Sequence, residues 1–506
     1  MSANDKGFWG VTPPISVAAS NEREREITTT LIEIVLGKVA ALVKKFVRDV
    51  SISKGLSETA ANAAGGKIFT FGSYRLGVHG PGSDIDTLCV VPKHVSREDF
   101  FEILEPMMRA TEGATEVSGV PDAYVPIIGA KISDISLDPL IAPLGMSSIP
   151  EDLSLKDDNV LKNLDESVVR SVNGTRFTDE LLGLVPKVQV FRDALRCIKL
   201  WAQRKAIYSN VNGYLGGVAW AMLVARICQL YPNAVAGAIV VRFFTVMSRW
   251  QWPQPVLLKQ IEDGPLQVRG DRAHRMPIIT PNYPSMCATH NIQHGADLVE
   301  KIIAGAATWS ELFQKHDFFH RYRNYIQVLA LTRDPTRQIK WAGTVQSRMR
   351  HLIMKLDAVP NLRLAHPFVK GFDRVVRCAS EEEASLVLRG QPPSFPDVEG
   401  HDSDPANADA AHKVYLTAFF VRLALKPKDS VDAAPRRLDV SVSITEFVKM
   451  HIRSAALPNY CFDPGERESK VIGKRSKKSL GGKGGDKPNK KRRPSDGNVM
   501  MTSSVS

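Results

Sequence analysis

Cysteine is scarce and unpaired in this chain. Six residues (Cys89, Cys197, Cys228, Cys287, Cys378 and Cys461) are scattered over 506 positions, none in a Cys-x-x-Cys pair. That argues against a disulfide framework and a zinc cage, and for a reducing compartment. Long apolar runs are missing too. A spanning helix needs about 18 apolar residues in a row, whereas the stretch Gly216–Ala225 is already broken by Arg226. The opening MSANDKGFWG carries no apolar signal-peptide core. Internal repeats are also lacking. What remains is a globular balance, 43% hydrophobic and 24% charged, long enough for about three domains.

The formal net charge is +12, which suits a polyanionic partner such as nucleic acid. The stretch after residue 463 holds twelve basic and four acidic residues, so most of the excess lies in the tail. That tail is rich in Lys, Gly and Ser, almost without apolar residues, and is expected to be disordered. Its two clusters, Lys474–Lys478 and Lys490–Arg493, have the spacing of a paired nuclear localisation signal or of a phosphate-binding tether.

Periodicity predicts a long helix over residues 21–50. Asn21 is its expected N-cap, and Ile27, Leu31, Ile34, Val35, Val39, Leu42, Val43 and Phe46 are its apolar positions. Three β-like runs follow, KIFTFG, DIDTLCVV and Ala130–Ile141, with the helical segment REDFFEILEPMMRA between the last two. A small α/β sheet is expected. Residues 161–319 read as mainly helical. Beyond Arg321, two strands (YRNYIQVLALT and VYLTAFFVRLAL) and two helices (WAGTVQSRMRHLIMKLDAV and SITEFVKMHIRSAA) suggest a compact α+β domain, with Ser380–His412 as a loop.

The chemistry is concentrated in Phe71-Gly-Ser-Tyr-Arg-Leu-Gly-Val-His-Gly-Pro-Gly-Ser-Asp-Ile-Asp86. A Gly72-Ser73 turn after a strand lets backbone amides and a hydroxyl approach phosphate oxygens. Asp84 and Asp86, two apart, point to one face of a strand. Like charges so placed repel unless divalent cations neutralise them. Asp138, in ISLDPLIA, is the candidate third carboxylate of a two-metal site. A Gly-Ser turn alone means little, and a lone Asp-x-Asp is commonly a solvated loop. Together and in order they point to phosphoryl or nucleotidyl transfer.

These segments, with NGTRFTDELLGLVPK, IKLWAQRKAIYSN, GGVAWAMLVARICQLYPNA, WPQPVLLKQIEDG, HRMPIITPNYPSMCATHN and DFFHRYRNYI, closely resemble the eukaryotic nuclear poly(A) polymerases of the DNA polymerase β-like nucleotidyltransferase superfamily. The resemblance covers most of residues 8–355 and continues more weakly to about 455. It implies an α+β multidomain protein. An N-terminal segment and helix (1–50) would pack with the middle domain. A nucleotidyltransferase α/β catalytic domain (51–172), a helical middle domain (173–317), a C-terminal RNA-recognition-motif-like domain (318–462) and the disordered basic tail (463–506) would follow. It implies that Asp84, Asp86 and Asp138 bind two Mg²⁺ or Mn²⁺ ions, and that Phe71, Gly72 and Ser73 form the triphosphate turn. Lys199 and Tyr208 would contact ATP phosphates, and Asn173, Asn210, Gly217 and Val218 would surround sugar and adenine. A Lys can serve as a point charge on phosphates, and a Tyr ring can flank a base. ATP, an RNA 3′ end and cleavage/polyadenylation complex subunits are the implied partners of a monomeric nuclear catalytic subunit, with no membrane.

Four departures stand out. Pro139, where the family carries an aliphatic residue, suggests an edge or bulge in that strand. Asp134 is expected on the same strand face as Asp138, as a competing ligand. Gly129 replaces a common basic residue. The chain is shorter between Val268 and Asp271. Rival readings are a terminal uridylyltransferase, an oligoadenylate synthetase, or a non-catalytic RNA-binding scaffold.

Overall fold

The computed structural model describes residues 17–80, 82–121, 125–261, 274–289, 292, 295–307, 312–314, 318–319, 324–378, 380–388, 412–426, 438–452, 473–475 and 497–504. The chain opens with α1 (Val17–Ser53) and α2 (Glu58–Ala63). Next come β1 (Lys67–Thr70), the four-residue turn of helix α3 (Gly72–Arg75) and β2 (Ile85–Val91). The expected helix at Arg97–Arg109 is three pieces: α4 (Arg97–Asp99), a π-helical turn (Phe100–Leu104) and α5 (Glu105–Arg109). Then follow β3 (Ala114–Val120), β4 (Ile127–Ile132) and β5 (Ile135–Pro143).

These five strands form one sheet in the order β1-β2-β5-β4-β3, in which β2 and β5 run parallel and the other neighbours antiparallel. The single strand expected over Ala130–Ile141 is in fact the β4–β5 hairpin. Its turn residues Ser133 and Asp134 take positive φ, 50° and 63°, as a tight hairpin turn requires. Asp134 is therefore not on the strand face of Asp138. Its side chain is 90% exposed and pairs with Lys131 at 3.4 Å.

Asn21, the expected N-cap, lies inside α1, which begins four residues earlier. The helix packs its described side chains on the first sheet, rather than on the middle domain as the resemblance implied. Its described apolar residues, including Val35, Val39, Val43, Phe46, Val47 and Val50, share a core with Ile85, Cys89, Val91, Ile128, Leu137 and Ile141 of the first sheet. A stripe of that width needs an apolar surface, and that sheet face supplies it. Ile27 and Ile34 fall off the stripe and are exposed, 60% and 52%.

The helical region comprises α6 (Glu166–Leu184), α7 (Val188–Arg204), α8 (Gly217–Leu230), α9 (Ala236–Met247) and α10 (Gly295–Ala307). The proposed domain boundary at residues 172 and 173 falls within α6. On α7, Phe191, Ala194, Leu195, Ile198, Trp201 and Ala202 are buried at helical spacing. Trp201 meets Trp220 of α8 edge to face, centroids 5.8 Å apart. The shortened stretch at Val268–Asp271 lies outside the described residues.

The C-terminal region contains β6 (Tyr325–Thr332), α11 (Pro335–Asp357), β7 (Leu362–Pro367), β8 (Phe372–Cys378), α12 (Glu381–Leu388), β9 (His412–Leu425) and α13 (Ser441–Phe447), which a π-helical turn extends through Val448–Ile452. The expected two-strand, two-helix plan is thus too small. β7 and β8 both pair with β9, and α12 occupies the start of the expected Ser380–His412 loop. One face packs on α11 and α13, the other partly on α12. The tail differs from the expected disorder at two places. β10 (Gly473–Arg475) and β11 (Gly497–Ser504) extend this sheet, with β11 against β6. The Val-Met-Met run at 499–501 suits strand pairing, and β6 offers it an open edge.

Candidate active site

The parallel register of β2 and β5 sets Asp86 directly beside Asp138. Asp84 stands two residues upstream, exposed, just before β2 begins. Burial, then Asp138 and Asp84, push the Asp86 carboxyl up to about 7. Burial, then Asp84, push Asp138 up to about 6. Both shifts report anionic groups forced together out of water, a cost that a cation relieves. Pro139 is not at an edge and makes no bulge. It lies on an inner strand opposite Thr87, and pairing with β4 skips Asp138 and Pro139 without a change of register. A proline fits there because the skipped stretch needs no ladder N–H. Gly129 faces this gap, since a Cβ on it would lie 3.8 Å from Asp138 Oδ1.

The Gly72-Ser73 turn is pressed against the carboxylates. Gly72 has φ +64°, and a Cβ on it would sit 2.0 Å from Asp86 Oδ2. The preceding Phe71 donates its N–H to Asp86 O at 3.0 Å. The Phe71 ring lies so close to Gly174 of α6 that a Cβ there would be 2.8 Å from it. Its neighbour Asn173 is 7% exposed. The Asn173 Nδ2 reaches Met286 Sδ at 3.9 Å, and its Oδ1 is buried without a hydrogen-bond partner. A buried unpaired acceptor is costly unless a ligand donates to it.

Across the cleft, Lys199 of α7 donates to Val78 O at 3.2 Å and stands 5.9 Å from the Tyr208 ring centre. Burial lowers the Lys199 pKa. Burial, and then Asp86, raise that of Tyr208, so the phenol stays protonated and can donate. Tyr208 lies against the start of α8, where a Cβ on Gly217 would be 2.8 Å from its Oη. The N-cap of α8 is Gly216, with no side-chain cap, so no capping side chain competes with an anion for its first amides. Asn210 lies against Gly216, and Val218 is 43% exposed. Contacts thus tie Phe71 and Gly72 to Asp86 and α6, and Lys199 and Gly217 to Tyr208, while the Asp86 charge reaches Tyr208 across the space between sheet and helices.

Among the described residues, no three His, Cys, Asp or Glu side chains form a ready-made metal cage. The oxygen-only donors nevertheless suit Mg²⁺ or Mn²⁺, which use one or two carboxylates and complete their shells with substrate phosphates and water. Three further residues were not singled out from sequence. Thr178 Oγ1 accepts from the Gly72 N–H at 3.3 Å. Arg192 and Arg196 hold the loop after the turn. The spacing of Arg192, Arg196 and Lys199, one basic residue per turn, was the available signal.

Residues 10–185, 190–315 and 317–456 match, in order, the models of the poly(A) polymerase nucleotidyltransferase domain, the poly(A) polymerase central domain and the poly(A) polymerase predicted RNA binding domain. The chain belongs to the poly(A) polymerase family. It is 46% identical to Poly(A) polymerase pla1 of Schizosaccharomyces pombe, over 92% of this chain and 96% of that protein. It is 38% identical to Nuclear poly(A) polymerase 1 of Arabidopsis thaliana, over 91% of this chain and 67% of that protein. A solved cytoplasmic RNA terminal U-transferase aligns at TM-score 0.37 with 13% identity, over 57% of this chain and 91% of that one. That likeness is too slight to bear on which nucleotide this polymerase uses. No helix among the described residues is long and apolar enough to cross a membrane.

Proposed function

We infer that this cleft carries out the family's reaction. The chain is a template-independent adenylyltransferase, adding AMP from ATP to the 3′-hydroxyl of mRNA with release of pyrophosphate. The observation behind the site assignment is the register that sets Asp86 beside Asp138 with Gly72 against it. ATP use in this family is metal-dependent. Asp84, Asp86 and Asp138 would hold two divalent ions, whose charge would favour the deprotonated 3′-hydroxyl and the departing pyrophosphate.

The chain's own groups do the rest. The Gly72-Ser73 turn and the amides opening α8 offer donors to the triphosphate. Lys199 exchanges the Val78 carbonyl for a phosphate oxygen. Its lowered pKa still leaves a cation once a polyanion binds, because the opposite charge favours the protonated form. Tyr208 donates its hydroxyl to a phosphate and, with Val218, flanks the adenine. The buried Asn173 Oδ1 accepts from the nucleoside. In-line attack on the α-phosphorus then needs only that the 3′-hydroxyl be aligned with it, and no covalent enzyme intermediate is formed.

The decisive experiment extends an oligo(A) primer with each nucleoside triphosphate and Mg²⁺. ATP-selective extension that is lost in Asp84→Ala is expected. Preferential use of UTP would overturn the adenylate assignment, and inactivity even with Mn²⁺ would favour the scaffold reading. Lys199→Ala should raise the KM for ATP at least about tenfold, the worth of one charge-assisted hydrogen bond. An unchanged KM would remove its phosphate role.

We also propose that the polymerase works as a monomeric catalytic subunit in the nucleus, recruited by cleavage/polyadenylation subunits. The basic clusters near Lys474 and Lys490 support nuclear import. A fluorescent fusion lacking residues 470–506 should lose nuclear accumulation; retention would remove the localisation reading.

A further inference from the structure

Leu76, Gly77 and Val78 follow the Gly72-Ser73 turn and lie between it and α7. Their N–H groups donate back to the turn, to Gly72 O at 3.0 Å, Tyr74 O at 2.9 Å and Ser73 O at 2.9 Å respectively. Their carbonyls face the other way, toward one basic residue from each successive turn of α7. Arg192 Nε donates to Leu76 O at 2.8 Å, an Arg196 guanidinium nitrogen donates to Gly77 O, and Lys199 Nζ donates to Val78 O at 3.2 Å. The side chains of Leu76 and Val78 are buried in the core of the helical region, not that of the sheet. Gly77 takes φ +72°, and a Cβ on it would sit 2.7 Å from Arg192 Nε. The tripeptide is thus a strap. One side is bonded to the triphosphate turn and the other to a row of three cations.

We propose that Arg192 and Arg196 are positioning residues for ATP. They fix the strap, and through its N–H groups the Gly72-Ser73 turn, at the distance from α7 that Lys199 needs to reach the triphosphate. The row divides the labour by neighbourhood. Lys199 alone of the three stands beside the Tyr208 ring, so it can leave its carbonyl for a phosphate. Arg192 is packed onto Gly77, and Arg196 is also paired with Asp193 at 2.9 Å, so both stay on the strap. When Lys199 departs, the two arginines keep the turn from relaxing away from Asp86, against which Gly72 is pressed. Pre-set donors matter here because a misplacement of about 1 Å in a transfer site costs rate by orders of magnitude.

This inference rests on Gly72-Ser73 being the triphosphate turn, and the test separates the two. Wild type is assayed first with ATP and oligo(A); failure to extend would sink the functional reading itself. With an active wild type, Arg196→Gln should raise the KM for ATP about tenfold, leave the KM for oligo(A) unchanged, and barely move the melting temperature, since this side chain is 48% exposed. Arg196→Lys should recover most of the loss, because one donor suffices for one carbonyl. Gly77→Ala changes no charge but displaces Arg192, and should raise the ATP KM similarly. If Arg196→Gln lowers activity only in proportion to the folded fraction, with the ATP KM unchanged, the residues are structural and the proposal is wrong. If Arg196→Gln raises the KM but folded Gly77→Ala does not, the arginine acts as a distant charge, and positioning is again overturned.

Discussion

Asp86→Asn is expected to abolish adenylate addition, by about 10³-fold or more, and at pH 8 to raise the melting temperature of the nucleotide-free enzyme. Both effects have one cause. The Asp86 carboxyl is pushed from 3.8 up to about 7 by burial and by Asp138 and Asp84. Between those two values the folded protein holds a proton that the unfolded chain has released. Stability therefore falls as pH rises through that window. Above about 7 the folded state carries the full cost of burying the charged carboxylate beside Asp138 and Asp84, on the order of a few kcal/mol by the size of the shift. Asn removes that charge without changing volume, so the gain appears at pH 8 and fades toward pH 5, where Asp86 is already protonated. Mg²⁺ with ATP should raise the wild-type melting temperature at pH 8 far more than that of the variant. Thermal unfolding at pH 5 and pH 8 beside primer extension checks all of this. Equal melting temperatures at pH 8 would mean that Asp86 is not under charge strain. In the nucleotide-free enzyme the same titration predicts that Mg²⁺ binds more weakly as pH falls through about 7 and 6, where protons on Asp86 and then Asp138 compete with the ion.

Gly72→Ala should be nearly as damaging, with activity down about 100-fold or more and stability reduced by about 1–3 kcal/mol. The backbone at φ +64° disfavours any L side chain, and the new methyl would lie 2.0 Å from Asp86 Oδ2. Either the turn moves away from where the triphosphate binds, or Asp86 moves away from Asp138. Gly37→Ala is the control. It lies inside α1 with nothing within 4 Å of the added methyl, and should stabilise by about 0.5–1 kcal/mol with activity unchanged. Wild-type activity in Gly72→Ala would show that neither the turn nor the carboxylate is held as tightly as the structure implies.

The carboxylate pair, the Gly-Ser turn and the alternation of strands and helices were legible because each is local. Asp84 and Asp86 are two residues apart, and Gly72 directly follows a strand. The long helix was legible for the same reason, and its partner was not. A stripe of valines states that something apolar covers it, without saying whether a sheet or a bundle does. Asp134 was misplaced because a hairpin turn at Ser133–Asp134 shifts which residues share a face, and no Gly or Asn-Gly signal marked it. β8 was missed because most of its residues, such as Asp373 and Arg374, are exposed, so its apolar periodicity is weak; β7 is mostly buried, but Arg363, His366 and Pro367 in six residues hide its apolar pattern. Lys199 and Tyr208 became candidates only by resemblance. Helix periodicity offers no reason to choose one lysine among several.

By itself the sequence determined the kind of chemistry: acidic side chains two apart on a strand, beside a glycine turn, have few uses other than holding metal and phosphate. It also determined which stretches form the polymerase's long helices and several of its strands, though not where each begins, since propensity and apolar spacing act over a few residues. Only the tertiary structure decided that Asp138 lies beside Asp86, because parallel strand register is set by packing across about fifty residues of intervening chain. Only it decided that three cations of α7 grip the loop behind the triphosphate turn, because contacts between carbonyls and side chains more than a hundred residues away leave no local pattern.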